Sequence, residues 1–241
     1  MTKLIINADD FGYSKAVNYG IIESYKSGVV TSTTIMANMP GFSHAIELIK
    51  QNEGLGLGVH MTLSCYKPVS ENLKTIVDEE GNFYRRLTDD VLETFNLDEV
   101  YNEFCAQIDK VLECHEITHL DSHHHVHQLK ILKPVIEKIL KKYDLPIRGG
   151  FMYDMDYDKI INLNDTFYGE NVEECFFEKN LDELKKYDTI DLMVHPAFLD
   201  SFILNSTSYA NQRTKEYDIL TSNVVKKYLD ENFELVNYKN R

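Results

Sequence analysis

Long apolar runs are missing from this 241-residue sequence: the longest uninterrupted stretches span only a few residues, too few for a membrane-spanning helix. The opening segment, MTKLIINADD, lacks the extended apolar region and small-residue cleavage site of a signal peptide, so a cytoplasmic location is expected. Cysteine is sparse. Cys65, Cys105, Cys114 and Cys175 form no CxxC pair and no dense framework, which fits reduced thiols. Positive charge is also short, with 25 Lys and Arg against 39 Asp and Glu and a formal net charge of −14. That deficit excludes nucleic acid and anionic membrane as partners, because phosphate binding needs clustered basic residues, and it leaves a small, locally recognised molecule as the expected ligand. No internal repeat, low-complexity tract or Pro/Gly/Ser linker divides the chain, so residues 1–241 are expected to form a single domain.

Hydrophobic residues make up 43% of the chain and charged residues 27%, ordinary values for a folded protein. A domain of this length buries roughly 75% of its extended surface. KLIINA (3–8) reads as a strand ending in two acids, and 14–28 as a helix capped by Ser14 and stopped by Gly28. VVTSTTIM (29–36) and LGLGVHMTL (55–63) read as strands flanking a helix at 43–51. A polar excursion occupies about 65–96. The helix 98–115 then places Val100, Phe104, Ile108 and Val111 on one face. ITHLDS (117–122), IRGGFMY (147–153), TIDLMVHPAF (189–198) and FELVNY (233–238) are further strands, and 134–143 and 214–229 are helices. Strands alternating with helices predict a parallel sheet with crossover connections, either an α/β barrel or a doubly wound sheet.

Ionisable residues stand at the carboxyl ends of four of these strands: Asp9 and Asp10, His60, the cluster THLDSHHHVHQ (118–128), and His195. An α/β barrel assembles its site from strand ends in this way, and a strand interior has no use for an unpaired carboxylate. One carboxylate and two imidazoles are the usual protein ligands of a catalytic divalent ion. No cysteine stands in or beside the histidine cluster in sequence, which argues against structural zinc. Adjacent aspartates point different ways, so one can bind metal while the other accepts a proton. Within the cluster, His123 and His127 have helical spacing, whereas His123 and His125 would share one face of a strand. One of these is expected to bind metal while the others hold it or touch substrate, with His119 or His124 merely structural.

The segments NADDFG (7–12), GVVTSTTIM (28–36), GVH (58–60), THLDSHHHVH (118–127), FYGE (167–170) and HPAF (195–198), in this order, resemble the YdjC-like carbohydrate deacetylases, chitooligosaccharide deacetylases above all. The resemblance runs from about residue 3 to the C-terminus and is poor over 65–96 and 151–165. It implies a distorted TIM-like (β/α) barrel that removes the acetyl group from an N-acetylated sugar. It also implies Asp10, His60 and His123 as ligands of a divalent metal, magnesium or zinc. Asp9 matches the general base, His195 the imidazole that protonates the leaving amine, and Arg148 the basic residue that orients the carboxylates. His125, His127 and Arg148 are the residues expected at the substrate. The implied partner is a small carbohydrate, and the 15 tyrosines and 12 phenylalanines leave room for a sugar platform or a homodimer interface.

Three other readings use the same residues. An iron oxygenase shares the ligand types but needs a co-substrate site that nothing here supplies. A phosphoesterase lacks its Lys/Arg-rich clamp. A metal store or sensor has no use for a second aspartate or an isolated His195.

Overall fold

The computed structural model describes all 241 residues. Its eight strands are β1 (Lys3–Phe11), β2 (Ser32–Ile35), β3 (Gly56–Met61), β4 (His119–Ser122), β5 (Ile147–Arg148), β6 (Ile160–Asn164), β7 (Thr189–Val194) and β8 (Glu234–Leu235). Every pairing between them is parallel. β1 pairs with both β2 and β7, so the first seven strands close on themselves as a barrel. The fold is a single α/β domain built on a distorted TIM-like barrel. β8 pairs with β1 only at Lys3 and Leu4, below the point where Asn7 meets Ser32 of β2, so it fills the lower part of the gap between β1 and β2.

Alternation along the strands divides the interior. Leu4, Ile6 and Ala8 face outward into a cluster of 55 buried apolar residues shared with the surrounding helices. The lumen is different: Ile5, Ile161, Val236 and Tyr238 form a small apolar plug of their own. Above that plug the buried side chains are polar. Asn7 bridges to Thr34 (3.2 Å) and accepts from the His119 ring (3.1 Å), and Tyr238 donates to Asp191 (2.6 Å). His119 stacks flat on Tyr238 with centroids 3.5 Å apart. This stack leaves no room on β3, where a Cβ at Gly58 would lie 2.5 Å from the His119 ring. Gly58→Ala is therefore expected to cost about 1–3 kcal/mol through overpacking, read as a lower denaturant midpoint.

Several elements differ from the sequence-based expectations. The IINLN strand, β6, has no counterpart among those expectations, because its short apolar run lies in a polar surround. β5 stops after two residues, since Gly149 leaves the strand and Gly150 adopts φ +89°. The helix expected at 214–229 is two helices, Asn211–Leu220 and Asn223–Asn232, divided where the Ser222 side chain caps the second one at Val224 N–H.

No barrel strand lies between Met61 and His119. The 65–96 excursion is tied down by the Leu97–Leu112 helix, which presents Glu99, Glu103 and Gln107 at helical i, i+4 spacing. Glu103 accepts from Val69 and Ser70 N–H (2.8 Å each), Glu99 accepts from Thr75 N–H (2.8 Å), and Gln107 clamps both backbone groups of Thr62 (2.9 Å). Thus the polar face of that helix holds the loop while its apolar face holds the core.

Candidate metal centre

A break in regularity makes the site. The β1–β2 register shifts between Ala8 and Phe11, and Asp10 takes a left-handed backbone conformation with φ +70°. This bulge at the strand end aims both aspartates into the barrel mouth, where a regular strand would send one of them outward. The histidine cluster is bent in the same way: His124 and His125 both adopt φ +53°, a strained geometry that turns HHHVHQ sharply after β4.

Asp10 Oδ1 lies 3.0 Å from His123 Nδ1 and 3.4 Å from His60 Nε2. Donor atoms around a divalent ion at ordinary bond lengths are about 3 to 3.5 Å apart, so the spacing suits a shared cation. Asp10 Oδ1 is also buried without a hydrogen-bond partner. His60 sits opposite Asp121 in the β3–β4 register, and its Nδ1 meets Asp121 Oδ1 at 2.7 Å. That contact fixes the imidazole and leaves Nε2 turned to the metal position, the carboxylate–histidine arrangement of many metal sites. A second grouping, Asp9, His60 and Asp121, also has its donor atoms within 4.8 Å of one another. Its oxygens are already committed, because Arg148 Nη1 binds Asp9 (2.6 Å) and Asp121 (2.8 Å).

Charge balance points the same way. Four buried carboxylates, Asp9, Asp10, Asp121 and Asp191, share this space with two guanidiniums, Arg148 and Arg213, a deficit of two positive charges. Burial opposes charge on His60 and His123, yet the surrounding aspartates prevail and raise them to about 10 and about 9. A divalent cation held by these residues would supply the positive charge that the carboxylates lack.

Asp9 is bidentate with Arg148 (2.6 and 2.7 Å) and accepts from Asn7 (2.9 Å). Burial works against its charge, but Arg148 holds it well below the usual carboxylate range. His195, just beyond β7, is pushed down to about 3 by burial and by the Arg213 charge, so its ring is neutral, with Nδ1 unpartnered. Asp9, Asp10, His60, His123 and His195 line one cavity of about 820 Å³ with His124, His125, Tyr168, Tyr209 and, from the excursion, Tyr66, Asp78, Asn82 and Arg85. The size is that of a small-molecule site.

Residues 3–231 match the model of the YdjC-like protein family. The chain belongs to that family. It is 41% identical to a carbohydrate deacetylase of Clostridium beijerinckii, over 98% of this chain and 99% of that one. It is 39% identical to a carbohydrate deacetylase of Brevibacillus brevis, covering 98% of each. A solved structure from Enterococcus faecalis V583, proposed as a cellobiose-phosphate cleavage protein, superposes with a TM-score of 0.91 at 36% identity, over 99% of this chain and 98% of the other.

In this YdjC-like chain the fold brings together Asp9, Asp10, His60, His123, His125 and His195 around the cavity. Two of the residues expected at the substrate do not line the cavity. Arg148 is fully buried and spends its guanidinium on Asp9, Asp121 and Asp191, so it stands behind the site. His127 is equally buried, held between Ser122 Oγ (2.5 Å) and the Arg148 carbonyl (3.1 Å), and it wedges the turn instead of facing substrate. The reason is common to both: their polar atoms are consumed by partners beneath the cavity floor.

Other site residues escaped the sequence reading. Asp121 and Asp191 carried a signal, being acids inside apolar strands. Arg213 and Glu216 carried none, since a charged residue in a late helix normally faces water. Arg213 donates to Asp10 Oδ2 (2.6 Å), and Glu216 accepts from His195 N–H and from Tyr209 OH (2.5 Å). Cys65, distant from the histidines in sequence, reaches the same cavity wall, its thiol turned to Met39 Sδ at 3.8 Å.

Burial pushes the Glu216 carboxyl up to about 8, against the opposing pull of Tyr209, the His195 N–H and Arg213. A raised folded-state pKa means that the folded chain keeps a proton the unfolded chain releases above its ordinary value of 4.5. The associated stability is fully present below that value and is lost as pH rises through about 8. Glu216→Gln is expected to flatten this part of the stability profile, measured as denaturation midpoints between pH 5 and 8.5. An unchanged slope in the variant would place the titration elsewhere.

Proposed function

We propose that this chain is a metal-dependent carbohydrate deacetylase that hydrolyses the acetamide of an N-acetylated sugar to acetate and an amino sugar. The observation that carries the reading is the pairing of a three-residue donor set, Asp10, His60 and His123, with an ionised aspartate that the set leaves unused, Asp9. Magnesium or zinc held by that set would lower the pKa of a water and polarise the acetamide carbonyl. Asp9, kept anionic by Arg148, accepts the proton that the attacking water loses. His195 carries a proton to the departing nitrogen, which cannot leave as an amide anion. It is neutral at rest, so in this version the proton that Asp9 takes from the water passes to His195 during turnover and from there to the nitrogen. His125, whose Nδ1 is buried without a partner, is the group proposed to contact the sugar.

A second assignment of the proton acceptor has its own support. Arg148 makes Asp9 a weak base, whereas the neutral His195 ring has an open nitrogen. In that version His195 both accepts and delivers the proton, and Asp9 only orients. The two versions part at Asp9→Asn. Retained metal with kcat lowered about 10²-fold or more fits Asp9 as base, and kcat within tenfold of the parent fits His195 in both roles.

The proposed substrates are chitooligosaccharides such as N,N′-diacetylchitobiose, with or without a 6-phosphate. Acetate release from both forms, with and without a chelator, tests the reaction. No release under any divalent metal would leave a metal-binding protein with no such activity. The reading treats residues 1–241 as one deacetylase domain. A cytoplasmic location is part of it, supported by four free cysteines, and no helix is long and apolar enough to cross a membrane. A homodimer is also part of it, with exposed Tyr19 and Phe198 in its support, and sedimentation equilibrium reads it directly.

A further inference from the structure

One wall of the cavity is built from rings that the proposed reaction does not use. Tyr168 and Tyr209 lie nearly parallel, 8° apart, with centroids separated by 4.1 Å. The His195 ring stands steeply to both, at 5.6 and 5.7 Å. Tyr209 is buried, with its hydroxyl held between Glu216 Oε1 and the Gly169 N–H, which donates to it at 3.2 Å. Tyr168 is 45% exposed, and no other ring stacks on its second face.

The loop that carries Tyr168 is fixed from below. Phe167 is fully buried against Phe176 and Phe177, and the backbone at Tyr168 is extended, so the two neighbouring side chains point in opposite directions. Asn164 closes the preceding turn by accepting from Thr166 N–H and Oγ (3.2 and 2.9 Å). The exposed ring is therefore held in place before any ligand arrives, and binding against it costs little side-chain entropy.

We infer that the open face of Tyr168, backed by Tyr209, is a stacking platform for a pyranose ring, the sugar whose acetamide lies between His195 and the Asp10, His60 and His123 set. A flat, half-exposed aromatic face suits the C–H face of a pyranose, while its hydroxyls stay free for the polar side of the cavity. The 65–96 excursion supplies such groups to the same cavity, with Asp78, Asn82 and Arg85. The platform rests on the proposed deacetylase reading and adds to it the residue that selects a sugar over a small acyl amide.

The chain has no tryptophan, which gives the test a clean reporter. Tyr168→Trp places a single indole on the platform. Stopped-flow mixing of the full-length, metal-loaded variant with N,N′-diacetylchitobiose, read before turnover, is expected to give a saturable change in emission. Tyr19→Trp, at an exposed position outside the cavity, is expected to give none. In parallel, Tyr168→Ala is expected to raise KM about tenfold with kcat changed less than about threefold, and Tyr168→Phe to restore the parent KM. No saturable signal at position 168, or an alanine variant with KM within twofold of the parent, overturns the platform. A saturable signal without any acetate release keeps the platform and removes the deacetylase reading. Acetate release with no effect at Tyr168 does the reverse.

Discussion

His60→Ala is expected, on the proposed metal-dependent reading, to abolish metal binding and to lower acetate release by about three orders of magnitude or more, because a water acidified by the ion would be lost with it. The imidazole is the donor that joins the two halves of the site: Nε2 faces Asp10 Oδ1 at 3.4 Å, and Nδ1 is fixed by Asp121 at 2.7 Å. Without it, Asp10 and His123 alone must hold the cation, and two protein donors leave most of the coordination shell to water. Elemental analysis after dialysis should fall from about one ion per chain to none, with the far-ultraviolet dichroism unchanged. Asp9→Asn is the paired control and should keep its ion. If His60→Ala binds metal as the parent does, the donor set is wrong, and the proposed chemistry falls with it.

Arg148→Ala is expected to be the most destabilising single change at the site, by about 3–5 kcal/mol, because it leaves buried carboxylates without their counter-ion. Arg148 binds Asp9 and Asp121 through its Nη atoms and Asp191 through Nε (2.7 Å), with no part of it exposed. Asp191 is already raised to about 6 by burial, despite the arginine, so its charge is the first that would be given up. A loss of this size is a large share of a typical domain's stability of about 5–15 kcal/mol, so the denaturant midpoint should move far. Arg148→Lys should recover only part of it, since an ammonium cannot reproduce the fork that spans three acids. A midpoint within 1 kcal/mol of the parent for Arg148→Ala would mean that the acids are protonated and the network is not ionic as drawn.

These two residues also mark how far the sequence could be read. His60 ends an apolar strand candidate, as do Asp9, Asp10 and His195, and an ionisable group at a parallel strand end is a local signal that survives without any structure. The alternation that turns Leu4, Ile6 and Ala8 to the helices and Asn7 and Asp9 to the lumen is local as well. The chain order of strands and helices pointed to a barrel or a doubly wound sheet for the same reason, since each element follows from its own periodicity.

Closure of the barrel was settled only by pairing β1 with β7 as well as with its neighbour β2, a contact that sets Lys3 opposite Thr189. Arg148 belongs to that second kind of information. Its bond to Asp9 spans 139 residues, and nothing in IRGG distinguishes an arginine that lines a cavity from one sealed beneath it. The same holds for Arg213 on Asp10, 203 residues apart, and for His127, which only its partners remove from the substrate side. What the sequence determined by itself was which side chains need a partner or an ion, because that follows from burying charge in a strand. Which partner each one found was decided by tertiary structure, because a buried ion pair is a property of two positions and their distance, and the chain specifies that distance only when it is folded.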